Sequence, residues 1–207
     1  MSNLIRWGAI GAIFGGAVTI VAGGILSTPV FSGEDPSWYQ QNPLWYLVEG
    51  ATKVALLVGL VGLYLYLRRS PRFGWLGTLG VYLLIVITSF EAIFTLIAFL
   101  ASGSAVEGVD SSLGPPKELG KIFALTLFGI AILRTGTLPR AGAWLMLSAV
   151  LVVVVSIGSF IVGPAAFANW SFPVAAVLLG LAFITLGSGL WSHRSEPVQP
   201  AQQAPIT

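Results

Sequence analysis

The sequence predicts an all-α integral membrane protein, a bundle of six transmembrane helices with both termini in the cytoplasm. Hydrophobic residues make up 56% of the 207 residues and charged residues only 9%, which leaves too little polar surface for a soluble domain. Apolar runs recur at the length that crosses a bilayer. Arginine and lysine lie at opposite ends of these runs, and an even number of spans places both termini on one side.

The predicted spans define one transmembrane domain, residues 1–191, followed by a cytoplasmic tail, residues 192–207. The spans run over about residues 5–26, 47–67, 76–101, 118–138, 141–162 and 174–191. The tail is rich in Pro, Gln and Ala and has few apolar side chains to bury. We therefore expect the tail to be disordered.

The first span begins at Trp7, after a short segment that carries Arg6. A cleavable signal peptide is the competing interpretation, but the apolar run to Leu26 is longer than a typical signal-peptide core, so we favour a span. Small residues recur along this span at alternating spacings of four and three, at Gly8, Ala12, Gly15, Thr19 and Ala22. This spacing places them on one helix face, where another helix can pack closely.

Two connections between spans are long. Residues 27–46 contain several prolines, acidic residues and clustered Trp and Tyr, a composition typical of an interfacial loop at the lipid headgroups. Residues 102–116 are polar and rich in Gly and Ser, and we expect a loop there as well. The glycine-rich start of the third span, residues 74–80, imitates a nucleotide-binding loop, but no strand precedes it, so its glycines predict helix packing instead.

The basic residues set the predicted orientation. All seven arginines lie at one set of span ends: Arg6, Arg68, Arg69, Arg72, Arg134, Arg140 and Arg194. All three lysines lie at the other set: Lys53, Lys117 and Lys121. Because basic residues beside short loops favour the cytoplasmic side, we expect a multi-pass protein of the plasma membrane with both termini inside. All seven tryptophans fall near span ends, as an aromatic belt predicts.

The spans suggest an internal repeat of two-helix units. A shift of 68 positions aligns Lys53 with Lys121 and Arg72 with Arg140, and nine of 39 residues are identical between Lys53 and Glu91 and their counterparts. One interpretation is a duplication, as in some transporters, with a site between the units. The other is that positively charged cytoplasmic turns and a background rich in Leu and Val produce this similarity by chance. The sequence leaves both open.

Glu91 is the acidic residue that lies deepest in a span. It is ten residues from Ala101, or about 15 Å at 1.5 Å per residue. A charge at this depth costs about 2.5–3.5 kcal/mol on insertion scales and usually faces a partner inside the protein. Lys53 is the first expected partner and Lys121 the second, while Glu49 lies one turn from Lys53 and competes for it. The candidate ligand-binding or ion-coupling residues are Glu91, Lys53, Glu49, Lys121, Glu118, Thr88 and Ser89.

Three roles for this cluster follow from its chemistry: a structural ion pair, a carboxylate that exchanges protons or cations or meets a substrate amine, and catalysis. Catalysis is least favoured, because no His, Cys or Asp lies deep in a span to act beside Glu91. The leading prediction is a non-catalytic membrane protein, an accessory or scaffolding component or a binder of small or lipidic molecules, with an outward-facing polar pocket around Glu91. The alternative is a small secondary transporter that uses Glu91 as its coupling carboxylate. A water-accessible cavity at Glu91 favours transport, and tight burial against a lysine favours packing.

Cofactors and partners are limited by composition. Cysteine is absent, and the single histidine, His193, lies in the tail. This composition excludes thiolate ligation, haem held by two histidines and histidine-based zinc sites, so we expect no cofactor and no metal. The net charge of +2 follows the predicted topology, and no nucleic-acid partner is expected. The expected partner is the lipid bilayer, and a homo-oligomer or a larger membrane complex stays open.

Overall fold

The computed structural model describes residues 2–26, 43–100, 107–162 and 165–192, and these residues form six helices, one of which ends in a π-helical segment. The elements are α1 (Ser2–Thr19) with the π-helical segment (Ile20–Leu26), α2 (Pro43–Leu67), α3 (Gly74–Leu100), α4 (Glu107–Thr135), α5 (Arg140–Val162) and α6 (Ala165–Ser192). The all-helical class is confirmed for these ranges. Residues 27–42 of the predicted interfacial loop and residues 193–207 of the predicted tail lie outside them.

Five of the helices are long and apolar enough to cross a membrane. The five stretches are Asn3–Leu26, Tyr46–Leu67, Gly74–Ile97, Arg140–Gly158 and Trp170–Ser192. The fourth predicted span is helical, but it carries Glu118, Lys121 and Arg134, so its apolar content alone does not identify a crossing. The helices thus indicate a membrane-embedded protein, and a crossing by α4, which would be the sixth in number, stays a prediction.

Helix α4 differs from its predicted bounds at both ends. It begins at Glu107, so the prediction of a loop over residues 102–116 is wrong from that residue onward. Extending a formed helix costs far less than starting one, and an apolar span can therefore continue into a polar segment. At the other end the helix stops at Thr135, because Gly136 adopts a left-handed φ of 62° and its N–H binds the Ile132 carbonyl at 3.2 Å.

Four prolines lie in helices where the sequence predicts connections: Pro43, Pro115, Pro116 and Pro173. Helix α6 begins at Ala165 and contains Pro173, so the predicted connection of residues 163–173 is helical over most of its length. A proline is tolerated inside an apolar helix where neighbouring groups satisfy the freed carbonyl. Helix α2 begins at Pro43, four residues before the predicted span, because a proline at the first helical position loses no hydrogen bond.

The six helices form a closed ring. Each helix packs against the next one in sequence, and α6 packs against α1, while α2 also touches α6 across the ring. Neighbouring helices are antiparallel, so the α2–α3 and α4–α5 turns lie at the same end. We name this the arginine end, after Arg6, Arg68, Arg69, Arg72, Arg134 and Arg140. The opposite, lysine end carries Lys53, Lys117 and Lys121.

Glycine allows α1 and α2 to pack almost backbone to backbone. A Cβ atom added to Gly8 would lie 2.3 Å from the Cα of Gly62, and one added to Gly59 would lie 2.8 Å from the Cα of Ala12. Separations this short are open only to residues without a side chain at the contact. The predicted small-residue face of α1 therefore packs against α2, as expected.

Two further helix pairs use glycine in the same way. In α3, Gly77 and Gly80 face α4, and a Cβ atom at Gly80 would lie 2.8 Å from the backbone nitrogen of Phe128. In α1, Gly16 faces α6, where an added Cβ atom would lie 2.6 Å from the carbonyl oxygen of Gly180. The glycines at the start of the third predicted span thus serve helix packing.

The two halves of the ring have different interiors. Near the arginine end the interior is apolar and closely packed, with Leu60, Leu63, Leu67, Phe128, Ile132, Met146, Leu186 and Leu190 fully buried. Near the lysine end the buried residues include hydroxyls and a carboxylate: Thr52, Thr88, Glu91, Thr95, Ser156 and Ser171. The polar half contains the candidate site.

The close approach of α1 and α2 can be tested with Gly62→Ala. The new methyl group would lie 2.4 Å from the Cα of Gly8, and overpacking of this kind costs about 1–3 kcal/mol. We expect a lower midpoint of thermal denaturation for the purified protein in detergent. Gly158→Ala in α5 is the matched control, because its Cβ atom meets no other atom within 4 Å and alanine favours the helix over glycine by about 1 kcal/mol. Equal losses in both variants would contradict the proposed packing.

Candidate functional site

Glu91 is the centre of an ion-pair network near the lysine end. Its carboxylate accepts a hydrogen bond from Lys53 of α2, with Oε2 3.1 Å from Nζ, and its Oε1 contacts the Nζ of Lys121 of α4. The Glu91 side chain is only 9% exposed. Since α3 lies between α2 and α4, one carboxylate joins three helices. The structure places Glu91 beside both of the lysines that the sequence predicts as its partners.

Each lysine has a second carboxylate on its own helix. The Nζ of Lys53 lies 3.6 Å from Glu49 Oε1, and the Nζ of Lys121 lies 3.1 Å from Glu118 Oε1. These spacings of four and three residues bring the side chains to one helix face. Glu49 and Glu118 are 39% and 38% exposed, so the network runs from a half-exposed acid through Glu91 to another half-exposed acid. We call these five residues the ion-pair network.

The nearby hydroxyls are satisfied within their own helices. Thr95 donates to the backbone carbonyl of Glu91 at 2.8 Å, and Thr52 donates to the carbonyl of Val48 at 2.7 Å. Neither contact involves the Glu91 carboxylate. Two hydroxyl residues are predicted for the site. Thr88 lines the cavity described below, whereas Ser89 does not.

A cavity of about 200 Å³ lies beside the network. Among the described residues, its wall is formed by α1 with the π-helical segment, α2, α3, α4 and α6. Its polar lining consists of Thr19, Glu49, Thr52, Lys53, Thr88, Glu91 and Lys121. Its large apolar side chains are Leu56, Leu60, Leu84, Leu125, Leu179 and Phe183. The cavity wall therefore combines charged groups with hydrocarbon.

A departure from regular α-helix lies beside the cavity. The π-helical segment contributes Ala22 and Gly23 to the wall, and its Gly24 packs on Val177, one turn after Pro173 in α6. π-helical turns are rare and occur often at functional sites. Sequence reasoning missed this segment because its apolar and small residues are equally typical of a regular helix. The Gly23-Gly24 pair, which disfavours the α-helix, is the only local signal.

A second buried polar contact lies between α5 and α6. The hydroxyls of Ser156 and Ser171 are hydrogen-bonded to each other, and both side chains are buried. Neither residue lines the cavity, so this contact joins two helices without taking part in the candidate site. Within the described ranges, no group of three or more His, Cys, Asp and Glu side chains has a geometry that could hold a metal ion.

The role of Glu91 in holding three helices together can be tested with Glu91→Gln. The change removes two charge-assisted contacts to Lys53 and Lys121, and hydrogen bonds to charged groups contribute about 1.5–3 kcal/mol each. We expect a loss of about 2–3 kcal/mol, because both lysines keep a carboxylate on their own helix. Glu118→Gln, which breaks a half-exposed pair, should cost less than about 1 kcal/mol. Denaturant titration in detergent measures both, and equal losses would contradict the central role of Glu91.

Comparison with known proteins adds no relative from which a role is transferable. Searches of the chain against protein-family models, curated proteins and solved structures gave no match. The cavity and its lining of charged and apolar side chains are therefore the observations on which a function is proposed.

Proposed function

We propose that this protein is a non-catalytic membrane protein that binds a small amphipathic molecule in the cavity beside Glu91. The observation that carries the proposal is the cavity wall, which combines the charged side chains of the ion-pair network with leucine and phenylalanine. Small-molecule sites are typically concave and mostly apolar, with a few placed polar groups that orient the ligand. A network that served helix packing alone would need no cavity beside it.

The cavity volume limits the size of the ligand. An engineered apolar cavity of about 150 Å³ is known to take up benzene. The cavity of about 200 Å³ therefore suits a single ring or a short chain with one polar group. A whole phospholipid is too large to be enclosed, so the proposal favours a small amphipathic molecule over a membrane lipid.

A catalytic role is not part of the proposal. The described cavity wall contains two carboxylates and two lysines that are already paired with one another, and it offers no His, Cys or Asp. General acid–base or nucleophilic catalysis needs a second positioned group with a free reactive atom. Binding requires no such group.

The proposed topology has six crossings, with the arginine end in the cytoplasm and the lysine end outside the plasma membrane. The segregation of the basic residues supports this orientation. Helix α4 supports the sixth crossing, because it packs along α3 from Gly80 near the arginine end to Glu91 near the lysine end. It therefore occupies the same depth as a helix that is long and apolar enough to cross.

The orientation can be tested with a reporter enzyme that is active only outside the cytoplasm. Fusion after Thr207 should give no activity, and insertion near Asp110 should give activity. The reverse pattern would overturn the orientation, and activity at both positions would overturn the crossing by α4.

Ligand binding can be tested with Leu179→Trp, which fills the cavity from α6. We expect native mass spectrometry of the detergent-purified protein to show a bound small molecule that is lost in this variant. Leu181→Trp is the matched control, because Leu181 lies on the same helix but is 40% exposed on the outer surface. Binding that is equal in the two variants, or no small molecule in the unmodified protein, would contradict the proposal.

Transport is the second candidate function. It is favoured by the π-helical segment, which places irregular backbone in the cavity wall. A transporter must open its site to both membrane faces in turn. The chain has no cysteine, so Thr88→Cys gives a single label site in the cavity. An impermeant maleimide should modify it only from the lysine end in a binder and from both faces in a transporter.

A further inference from the structure

We propose that the arginine end carries a binding site for one anionic phospholipid, on the outer surface where α2 meets α3. The polar groups of this site are the guanidinium of Arg68 and the hydroxyls of Tyr64 and Tyr82. The site is separate from the cavity, whose charged side chains lie near the lysine end. Four features of the arginine end support the assignment.

The first feature is the charge of the arginine end. The described ranges place six arginines there and no Asp or Glu, because all of their acidic residues lie toward the lysine end: Glu49, Glu91, Glu107, Asp110 and Glu118. Basic residues near a membrane surface attract lipids that carry a net negative charge. Charge complementarity therefore favours an anionic phospholipid over a zwitterionic one.

The second feature is the fixed position of one of these arginines. Arg68 is exposed, and its guanidinium carbon lies 5.8 Å from the centre of the Tyr64 ring. That ring packs in turn against Phe73, which is buried, and against Tyr82. The stack restrains a planar guanidinium, which binds phosphate through two parallel N–H donors. Within the described helices and turns, the exposed neighbour Arg69 has no such ring contact.

The third feature is a pair of phenols one turn deeper than Arg68. The hydroxyls of Tyr64 and Tyr82 lie 3.5 Å apart. At most one of them donates to the other, so at least one O–H is left for an acceptor outside the described part of the chain. This spare donor lies on the lipid-facing surface, since Tyr82 is 52% exposed.

The depth of the phenols matches the headgroup region of a bilayer. The N–H of Arg68 binds the Tyr64 carbonyl at 2.9 Å, so the two residues are one helical turn apart, or about 6 Å along the axis. The headgroup region is about 5–7 Å thick on each side of the hydrocarbon core. A phosphate at Arg68 therefore places the ester oxygens of the same lipid, at the base of this region, beside the phenols.

The fourth feature is the apolar surface that continues from the phenols. Trp75, Leu79, Tyr82 and Val86 are all exposed, and their spacings of four, three and four residues place them on one face of α3. Trp75 lies at the start of this face, where an interfacial tryptophan is expected. An acyl chain can lie along the rest of it, so one lipid can contact the guanidinium, the phenols and the apolar face together.

The site can be tested by native mass spectrometry of the full-length protein in detergent, titrated with phosphatidylglycerol or with phosphatidylcholine of the same acyl chains. We expect phosphatidylglycerol to bind at least about fivefold more tightly. Arg68→Gln should weaken phosphatidylglycerol about tenfold, because it removes a charge-assisted contact. Arg69→Gln is the matched control with the same loss of charge, and it should weaken binding less than about twofold. Tyr82→Phe, which leaves the charge unchanged, should weaken binding about threefold.

The contrary results are equally specific. Equal losses in Arg68→Gln and Arg69→Gln would overturn the inference, since a diffuse positive field does not distinguish neighbouring charges. Equal binding of the two lipids, or unchanged binding in Tyr82→Phe, would also overturn it. Glycerol phosphate has the phosphate without the acyl chains, and displacement of the lipid by an equal concentration of it would assign the site to a soluble phosphate instead. All three substituted side chains are exposed, so we expect each variant to fold. None of these outcomes bears on the cavity, which Leu179→Trp tests separately.

Discussion

The structure depends on one electrostatic constraint: a carboxylate among apolar helices must have compensating charges beside it. Glu91 meets this constraint with two lysines from two different helices. Compensation of this kind fixes the register of α2 and α4 against α3, because a shift of one turn in either helix would separate a lysine from the carboxylate. The same contacts bring five charged residues together near the lysine end, beside the cavity.

Close packing near the arginine end lies beside a half of the ring that contains a cavity. Close approaches such as that of Gly8 and Gly62 bring backbones together near the arginine end, where contacts between many atoms add to large dispersion energies. Helix association within lipid depends on such packing. The apolar side chains have already left water when the helices meet, so the hydrophobic effect adds little to their association. A tightly packed half and a half with a cavity therefore coexist in one ring.

The sequence predicts the helical class, five of the spans and the partners of Glu91, because each depends on composition or on spacing along one chain. Glu91 stands out since the free-energy cost of its depth can be read directly from the apolar residues around it. The cavity could not be predicted, because its wall depends on which faces of five helices meet. The extension of α4 to Glu107 and the helix through Pro173 were also missed, since local turn residues were given more weight than the continuation of a formed helix.

The closed ring has a consequence for biosynthesis. Helix α1 is made first and α6 last, yet the two are neighbours, with Arg6 stacked 5.6 Å from the ring of Trp191. During synthesis from the N-terminus, α1 can join α2 at once through their glycines. Its second face then stays uncovered until the final helix arrives with Gly180. Because α6 also brings Leu179 and Phe183 to the cavity wall, the site has no enclosed form in any shorter nascent chain. The site is therefore created only when α6 joins the other helices.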